Sequence, residues 1–135
     1  MRILACCLVT AFLLLAGCGD EEGYPPVLTD ISYGSKSYQL GFNDGQATLA
    51  GRVSFEDPDG DVVLLRVTWQ DCGRGPVKVI DSVQKDLQKL TSGSIAFITV
   101  VSTDCPLGEY AVEVSVSDGR GNESNVLDAV YEIYL

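Results

Sequence analysis

Apolar and polar side chains alternate along four stretches of the chain, and a period of two is typical of β-strands with one buried face. The stretches are residues 46–56, 62–70, 109–117 and 127–135. Their predicted inward side chains are, in the same order, Ala47, Leu49, Val53 and Phe55; Val63, Leu65, Val67 and Trp69; Tyr110, Val112, Val114 and Val116; and Leu127, Ala129, Tyr131, Ile133 and Leu135.

Two further stretches are less regular. Residues 94–102 are apolar at odd and even positions alike, which predicts a strand without saying which face is buried. In residues 81–90, Val83, Leu87 and Leu90 fit one face of a helix, and Asp81 and Gln84 have the spacing of a capping box. A short helix and an irregular strand both remain open for this segment.

Turn-forming residues separate the predicted strands. Residues 57–61 (Asp-Pro-Asp-Gly-Asp) link two strands, and residues 118–122 (Asp-Gly-Arg-Gly-Asn) link the last two. About seven short strands within roughly 110 residues predict an all-β fold, an antiparallel β-sandwich.

Four features of this pattern resemble an immunoglobulin-like domain of the bacterial surface kind, similar to PKD, cadherin-like and fibronectin type III modules. They are the acidic turn at 56–61, Trp69 in the third strand, Tyr110 at the start of the sixth strand, and the hairpin sequence at 117–125. The resemblance implies that Trp69 is buried and that Tyr110 forms a tyrosine corner. A carbohydrate platform is the alternative role for Trp69, but its inward position favours core packing. The chain departs from the family in one respect. The usual disulfide between the sheets joins the second and sixth strands, and neither of these predicted strands contains a cysteine.

The N-terminal 17 residues have a different pattern. Arg2 precedes an apolar run from Ile3 to Leu15, too short to span a hydrocarbon core of about 30 Å and typical of a secretory signal. The run ends in Leu-Ala-Gly-Cys at residues 15–18, which resembles the bacterial lipobox. That resemblance implies cleavage before Cys18 and attachment of lipid to its sulfur. An ordinary signal peptide with a chance cysteine is the alternative.

The predicted domain organisation is therefore a signal peptide at 1–17, a lipidated cysteine and tether at 18–26, and an immunoglobulin-like domain at 27–135. The tether is polar at first and then rich in glycine and proline, and it extends to about 30 Å at most. Gly19, rather than aspartate, follows Cys18. By resemblance to enteric sorting rules, this favours the outer membrane over the inner membrane and predicts a location in the cell envelope.

The chain has five cysteines. Cys6 and Cys7 leave with the leader and Cys18 carries lipid, so Cys72 and Cys105 remain to pair in an oxidising compartment. A metal site needs more soft ligands than these two, and a redox pair usually has Cys-x-x-Cys spacing. In the immunoglobulin-like layout Cys72 follows the third strand and Cys105 precedes its antiparallel neighbour, the sixth. The cysteine count and the predicted strand layout agree, and both predict a disulfide between Cys72 and Cys105.

Charge and composition exclude several function classes. The chain has 19 acidic and 9 basic side chains, for a net charge of −10, which disfavours nucleic acid and adhesion to anionic lipid. There is no histidine, which excludes histidine-based catalytic triads, histidine general bases and histidine-ligated zinc. The serines lack an activating motif and the paired carboxylates crowd a turn, so the protein is predicted not to be an enzyme.

Calcium is the one cofactor that the sequence suggests, because the acidic turn carries Asp57, Asp59 and Asp61. The turn after the sixth strand shares this end of the fold and brings Asp118, with Asn122 and Glu123 nearby. Calcium takes six to eight oxygen ligands from such groups. The alternative is a solvated turn whose residues were selected for their backbone geometry. The first strand begins at this end, so the tether is expected beside the acidic turns and the disulfide end away from the membrane.

These features predict a lipid-anchored envelope lipoprotein whose immunoglobulin-like domain is a non-catalytic binding module. The expected partners are the membrane, through the lipid, and a protein, a glycan or a neighbouring copy. A structural or accessory spacer within an envelope complex is the alternative function, and an enzyme is a remote third.

Overall fold

A computed structural model describes residues 23–33, 37–39, 46–102 and 104–134. The predicted signal peptide, Cys18 and Leu135 lie outside the described residues. The described residues form two 3-10 turns, Asp71–Gly73 and Lys85–Leu87, and eight strands. The strands are β1 (Val27–Tyr33), β2 (Ser37–Gln39), β3 (Gln46–Glu56), β4 (Val62–Gln70), β5 (Val77–Val83), β6 (Ser92–Ser102), β7 (Gly108–Asp118) and β8 (Leu127–Tyr134).

The strands form two sheets packed face to face. One sheet has the order β1-β3-β6 and the other β2-β8-β7-β4-β5. Neighbouring strands are antiparallel except β2, which lies parallel to β8. The predicted all-β, immunoglobulin-like sandwich is confirmed. The strand count exceeds seven because the first part of the chain divides between the sheets, with β1 pairing with β3 and the three-residue β2 with β8.

The core lies between the sheets and follows the predicted alternation. β3 and β6 pair over eleven residues, and β6 buries Ile95, Phe97, Thr99 and Val101, which settles its parity. The Phe97 ring lies against Gly51, where a Cβ would collide with it. The other largest side chains that are fully buried are Tyr131, Phe55, Leu49, Ile133, Val53, Val62, Val112, Val114 and Val116.

The predicted inward face of β4 is correct for Leu65 and Val67 but wrong for Val63. The pairing of β4 with β7 shifts register between Val62 and Leu64, so Val62 is fully buried and Val63 only half-buried. Such an irregularity inserts an extra residue and reverses the alternation beyond it. Trp69 packs against the core, as its parity predicted, but it is only half-buried and not fully buried as the resemblance implied.

Residues 81–90 turn out to be part strand and part 3-10 turn. Residues 81–83 complete β5, which pairs with β4 from Leu64 opposite Val83 to Gln70 opposite Val77. The expected capping box does not form, because the Gln84 side chain donates to Ser82 instead. Strand pairing with β4 overrides the local helical pattern, and Leu87 keeps the contact with the core that the helical spacing had suggested.

The sandwich has one end closed by a disulfide. β4 and β7 are antiparallel neighbours, so the end of β4 lies beside the start of β7. Cys72 and Cys105 are bonded there, with their Cα atoms 4.7 Å apart. The Tyr110 hydroxyl donates to the Pro106 carbonyl four residues upstream, which is the tyrosine corner that the sequence predicted.

Candidate functional site at the acidic end of the sandwich

The turn between β3 and β4 is organised by a buried aspartate. The Asp57 carboxylate accepts hydrogen bonds from the backbone N–H groups of Asp59 (3.3 Å), Asp61 (2.7 Å) and Val62 (3.0 Å). Asp57 is completely buried. Its charge is therefore compensated by backbone dipoles, the arrangement in which a short polar side chain stabilises a turn.

The turn between β7 and β8 repeats this arrangement. Asp118 is 2 % exposed, and its carboxylate accepts hydrogen bonds from the backbone N–H groups of Arg120 (2.9 Å) and Asn122 (2.8 Å). The Asn122 side chain donates to the same carboxylate at 2.7 Å. The two turns adjoin, since the Gly119 N–H donates to the Asp61 carbonyl at 2.9 Å. The structure therefore brings the two acidic turns to one end, as the sequence predicted.

The chain enters the sandwich against these turns. The Tyr24 N–H donates to the Asp59 carboxylate at 2.6 Å, and the Asn122 side chain donates to the Gly23 carbonyl at 3.4 Å. Pro26, two residues further on, is fully buried. The described end of the tether therefore lies beside the acidic turns, as expected from the direction of the first strand.

Asp61 differs from the other aspartates of this end. Its Oδ1 atom is buried and has no hydrogen-bond partner among the described residues, and its Oδ2 atom lies 3.9 Å from the Arg120 Nε atom. Burial raises the pKa of Asp61 above its ordinary value of 3.8, the Asp118 and Asp57 carboxylates raise it further, and Arg120 opposes them. Ionised Asp61 is therefore an electrostatic cost in the folded protein.

The positions of the predicted calcium ligands can be compared with what a calcium site needs. In the described part of the chain, ligand atoms of three acidic or cysteine side chains come within 4.8 Å of one another only at Asp71, Cys72 and Cys105, and both of these cysteines are in the disulfide. The Asp57 and Asp118 carboxylates accept backbone hydrogen bonds. The Glu123 carboxylate forms an ion pair with Arg66 instead, with Oε1 3.3 Å from the Arg66 Nη1 atom. A calcium site built from Asp57, Asp59, Asp61 and Asp118 stays a prediction.

Asn125 is a structural residue of this end whose role the sequence did not reveal. Its side-chain oxygen accepts from the Leu28 N–H at 2.8 Å, and its amide donates to the Leu28 carbonyl at 3.0 Å. These two bonds attach β1 to the loop before β8. A single asparagine in a polar turn has no sequence signal that distinguishes this role.

No helix among the residues that the structure describes is long and apolar enough to cross a membrane.

Comparison with known proteins places the fold. No protein-family model matches the sequence, and no curated protein matches it. Among solved structures, the chain is similar to the PKD domain of an M14-like peptidase from Thermoplasmatales archaeon SCGC AB-540-F20, with 16% identity over 84% of this chain and 99% of that chain and a TM-score of 0.56.

Two more distant structures also resemble the chain. A Niemann-Pick type C2 protein from the Japanese carpenter ant is 11% identical, with 87% of this chain and 96% of that chain covered and a TM-score of 0.50. A CARDB domain from Pyrococcus furiosus is 12% identical, with 84% and 96% covered and a TM-score of 0.45. At such identities likeness shows the fold alone. The chain contains an immunoglobulin-like β-sandwich similar to that of a PKD domain.

Proposed function

We propose that this protein is a lipid-anchored lipoprotein of the cell envelope whose immunoglobulin-like domain is a non-catalytic binding module for a protein or a glycan. The observation that carries the proposal is the position of Gly23 and Tyr24, which are held against the acidic turns only a few residues after Cys18. The lipobox resemblance at residues 15–18 supplies the anchor.

The short connection sets the orientation of the domain. The chain makes five residue-to-residue steps from Cys18 to Gly23 and so extends to about 18 Å at most. A lipid on Cys18 therefore keeps the acidic end near the membrane, and the Cys72–Cys105 end points away from it. The disulfide suits an oxidising compartment outside the inner membrane, and Gly19 favours the outer membrane.

The chemistry of the described residues supports binding rather than catalysis. Cys72 and Cys105 are consumed in a disulfide, and the buried Asp57 and Asp118 carboxylates are held by backbone N–H groups in tight turns. Exposed apolar side chains stand on the sheets instead, such as Val77 on β5 and Ile98 on β6. An exposed apolar cluster such as that of β5 is typical of an interaction surface, which supports a binding module over a spacer.

Intact mass spectrometry of the protein purified from membranes tests the anchor. The expected mature chain begins at Cys18 and carries a diacylglyceryl group on its sulfur. A Cys18→Ser variant is expected to lack the lipid and to be recovered in the soluble fraction. An unmodified thiol at position 18, or an intact Met1, would overturn the proposal.

Cross-linking in intact cells separates the binding module from the spacer. A binding module gives a discrete adduct through residues of 27–135, and the adduct disappears when the domain is replaced by an unrelated sandwich of the same length. A complex that survives this replacement would identify a spacer.

A further inference from the structure

One edge of the five-stranded sheet is unpaired in the described part of the chain. β5 pairs with β4 on one side only. The Gln84 N–H donates to the Val63 carbonyl at 2.8 Å, and the Asp71 N–H donates to the Pro76 carbonyl at 3.0 Å. Because hydrogen bonding alternates along an antiparallel pair, these bonds fix which residues of β5 face away from β4. Their N–H and C=O groups point outward at Val77, Val79, Asp81 and Val83.

The same edge exposes apolar side chains on both faces, next to the polar residues Lys78, Asp81 and Ser82. All seven residues of β5 are exposed, and they include Val77 (65%), Val79 (52%), Ile80 (44%) and Val83 (65%). Ile80 lies on the face of the sheet that carries Val67, and Val79 lies on the opposite face. Unpaired backbone groups beside exposed apolar side chains form a template for adding another strand.

We propose that this strand is β5 of a second copy of the domain. The two strands run antiparallel about a two-fold axis that passes between the two Ile80 residues. Val77 of each copy then lies opposite Val83 of the other, and Val79 lies opposite Asp81, in the hydrogen-bonded positions. The interface uses the same surface in both copies and closes on itself as a dimer.

Charge complementarity favours a second copy in this register. Residues 66–89 contain five basic and three acidic side chains, whereas the chain as a whole has a net charge of −10. The β5 edge is therefore a region where two copies of an acidic protein can approach each other. The two-fold axis brings the end that carries Arg74 towards the end of the other copy that carries Asp86. A register centred on Asp81 would instead oppose like charges.

The two-fold axis reverses the strand direction and so places the two Gly23 ends at opposite ends of the dimer. This consequence rests on the proposed lipid anchor, whereas the pairing itself does not. Copies anchored through Cys18 then pair between two membrane surfaces that face each other, rather than side by side on one membrane. A seven-residue edge is a small interface, so the dimer has a dissociation constant of about micromolar or weaker and gains strength where many copies face each other.

Sedimentation equilibrium of residues 18–135 with Cys18→Ser, secreted into an oxidising compartment, tests the pairing. The described core is complete within 23–134, so this chain keeps the whole sandwich. A concentration-dependent dimer is expected. Ile80→Lys and Ile80→Glu should each weaken it at least tenfold, since each opposes like charges at the axis, and an equimolar mixture of the two should restore dimers.

The matched control is Ile98→Lys, which changes an exposed isoleucine on β6, in the other sheet, and should leave the dimer unchanged. Ile80→Cys should form an intermolecular disulfide, because the two Ile80 residues face each other across the axis. Val83→Cys should not, because in this register the two Val83 residues lie at opposite ends of the paired strands. A wild-type monomer at millimolar concentration, or dimerisation of Ile80→Lys equal to wild type, would overturn the pairing.

Vesicle clustering tests the orientation separately. The chain is coupled through the Cys18 thiol to a maleimide lipid in phosphatidylcholine vesicles. Clustering of wild-type vesicles, absent with Ile80→Lys, is expected. A dimer in solution without clustering of vesicles would retain the pairing and reject the arrangement across facing surfaces.

Discussion

The Asp59 carboxylate accepts a hydrogen bond from the Tyr24 backbone N–H at 2.6 Å, across 35 residues of sequence. This bond joins the chain entering the sandwich to the turn between β3 and β4. Asn122, in the turn between β7 and β8, holds the neighbouring Gly23 carbonyl. The acidic turns thus fix where the tether leaves the domain.

Asp59→Ala should release this entry segment without unfolding the domain. The contact is exposed, so we expect a loss of about 0.5–1 kcal/mol in the free energy of unfolding. Hydrogen exchange measured by mass spectrometry should show faster exchange of the Tyr24 amide. Glu56→Ala, at an exposed position nearby in sequence, is the control, and equal Tyr24 exchange in both variants would contradict the role of Asp59.

Asp57→Ala should be far more damaging. Its fully buried carboxylate satisfies the backbone N–H groups of Asp61 and Val62, which would then lack an acceptor. We expect a loss of about 2–4 kcal/mol. Urea unfolding at neutral pH in EDTA measures it, and Asp57→Asn should lose less because one oxygen remains. A loss below about 1 kcal/mol for Asp57→Ala would contradict the capping role.

Asp61→Asn should stabilise the protein at neutral pH. Burial, with Asp118 and Asp57, raises the folded pKa of Asp61 above 3.8, so the folded state binds this proton more tightly than the unfolded chain. Ionised Asp61 therefore lowers stability above its folded pKa, and the penalty vanishes below about 3.8. We expect a gain of about 0.5–1 kcal/mol at pH 7 that disappears near pH 3.5, measured by thermal unfolding.

Calcium would reverse this result. If Asp57, Asp59, Asp61 and Asp118 hold the ion, millimolar calcium should increase the free energy of unfolding of the wild type by RT ln(1 + [L]/Kd) and so raise its melting temperature. Asp61→Asn would then lower the melting temperature in calcium instead of raising it. Magnesium at the same concentration is the control, and an unchanged wild-type melting temperature in calcium would contradict the site.

The Cys72–Cys105 disulfide should contribute a large share of the stability. It closes a loop with a sequence separation of 33, for which chain entropy gives about 3–4 kcal/mol. The double variant Cys72→Ser/Cys105→Ser should lose that amount in urea unfolding. Dithiothreitol should lower the wild-type melting temperature towards that of the variant and leave the variant unchanged. A dithiothreitol-insensitive wild type would contradict the contribution.

The outer face of the five-stranded sheet carries like charges in register. Glu109 lies directly opposite Glu132, and Glu113 directly opposite Asp128. Glu109→Lys replaces one repulsive pair by an attractive one, and we expect a gain of about 0.5–1 kcal/mol at low salt. The gain should shrink in about 1 M sodium chloride, because salt screens exposed charges. Glu56→Lys is the control, and a gain that persists at high salt would contradict an electrostatic origin.

Local pattern was sufficient for most of the strands. The alternation in β3, β7 and β8 placed Leu49, Val112 and Tyr131 in the core because one face of each strand meets the opposite sheet. It failed at Val63 because a register shift depends on how β4 pairs with β7. Local pattern could not predict which face of β6 is buried, because Ile98 and Val100 are apolar yet exposed.

The class of fold, the cysteine pair and the acidic composition of the two turns could be predicted from the sequence, since these depend on residue type and on spacing along the chain. The packing of distant segments made Asp57 a buried cap and left the Asp61 Oδ1 atom without a hydrogen-bond partner among the described residues. It also left the β5 edge unpaired in the part of the chain that the structure describes. Those properties arise when segments distant in sequence, such as Tyr24 and Asp59, come within hydrogen-bond distance and exclude water.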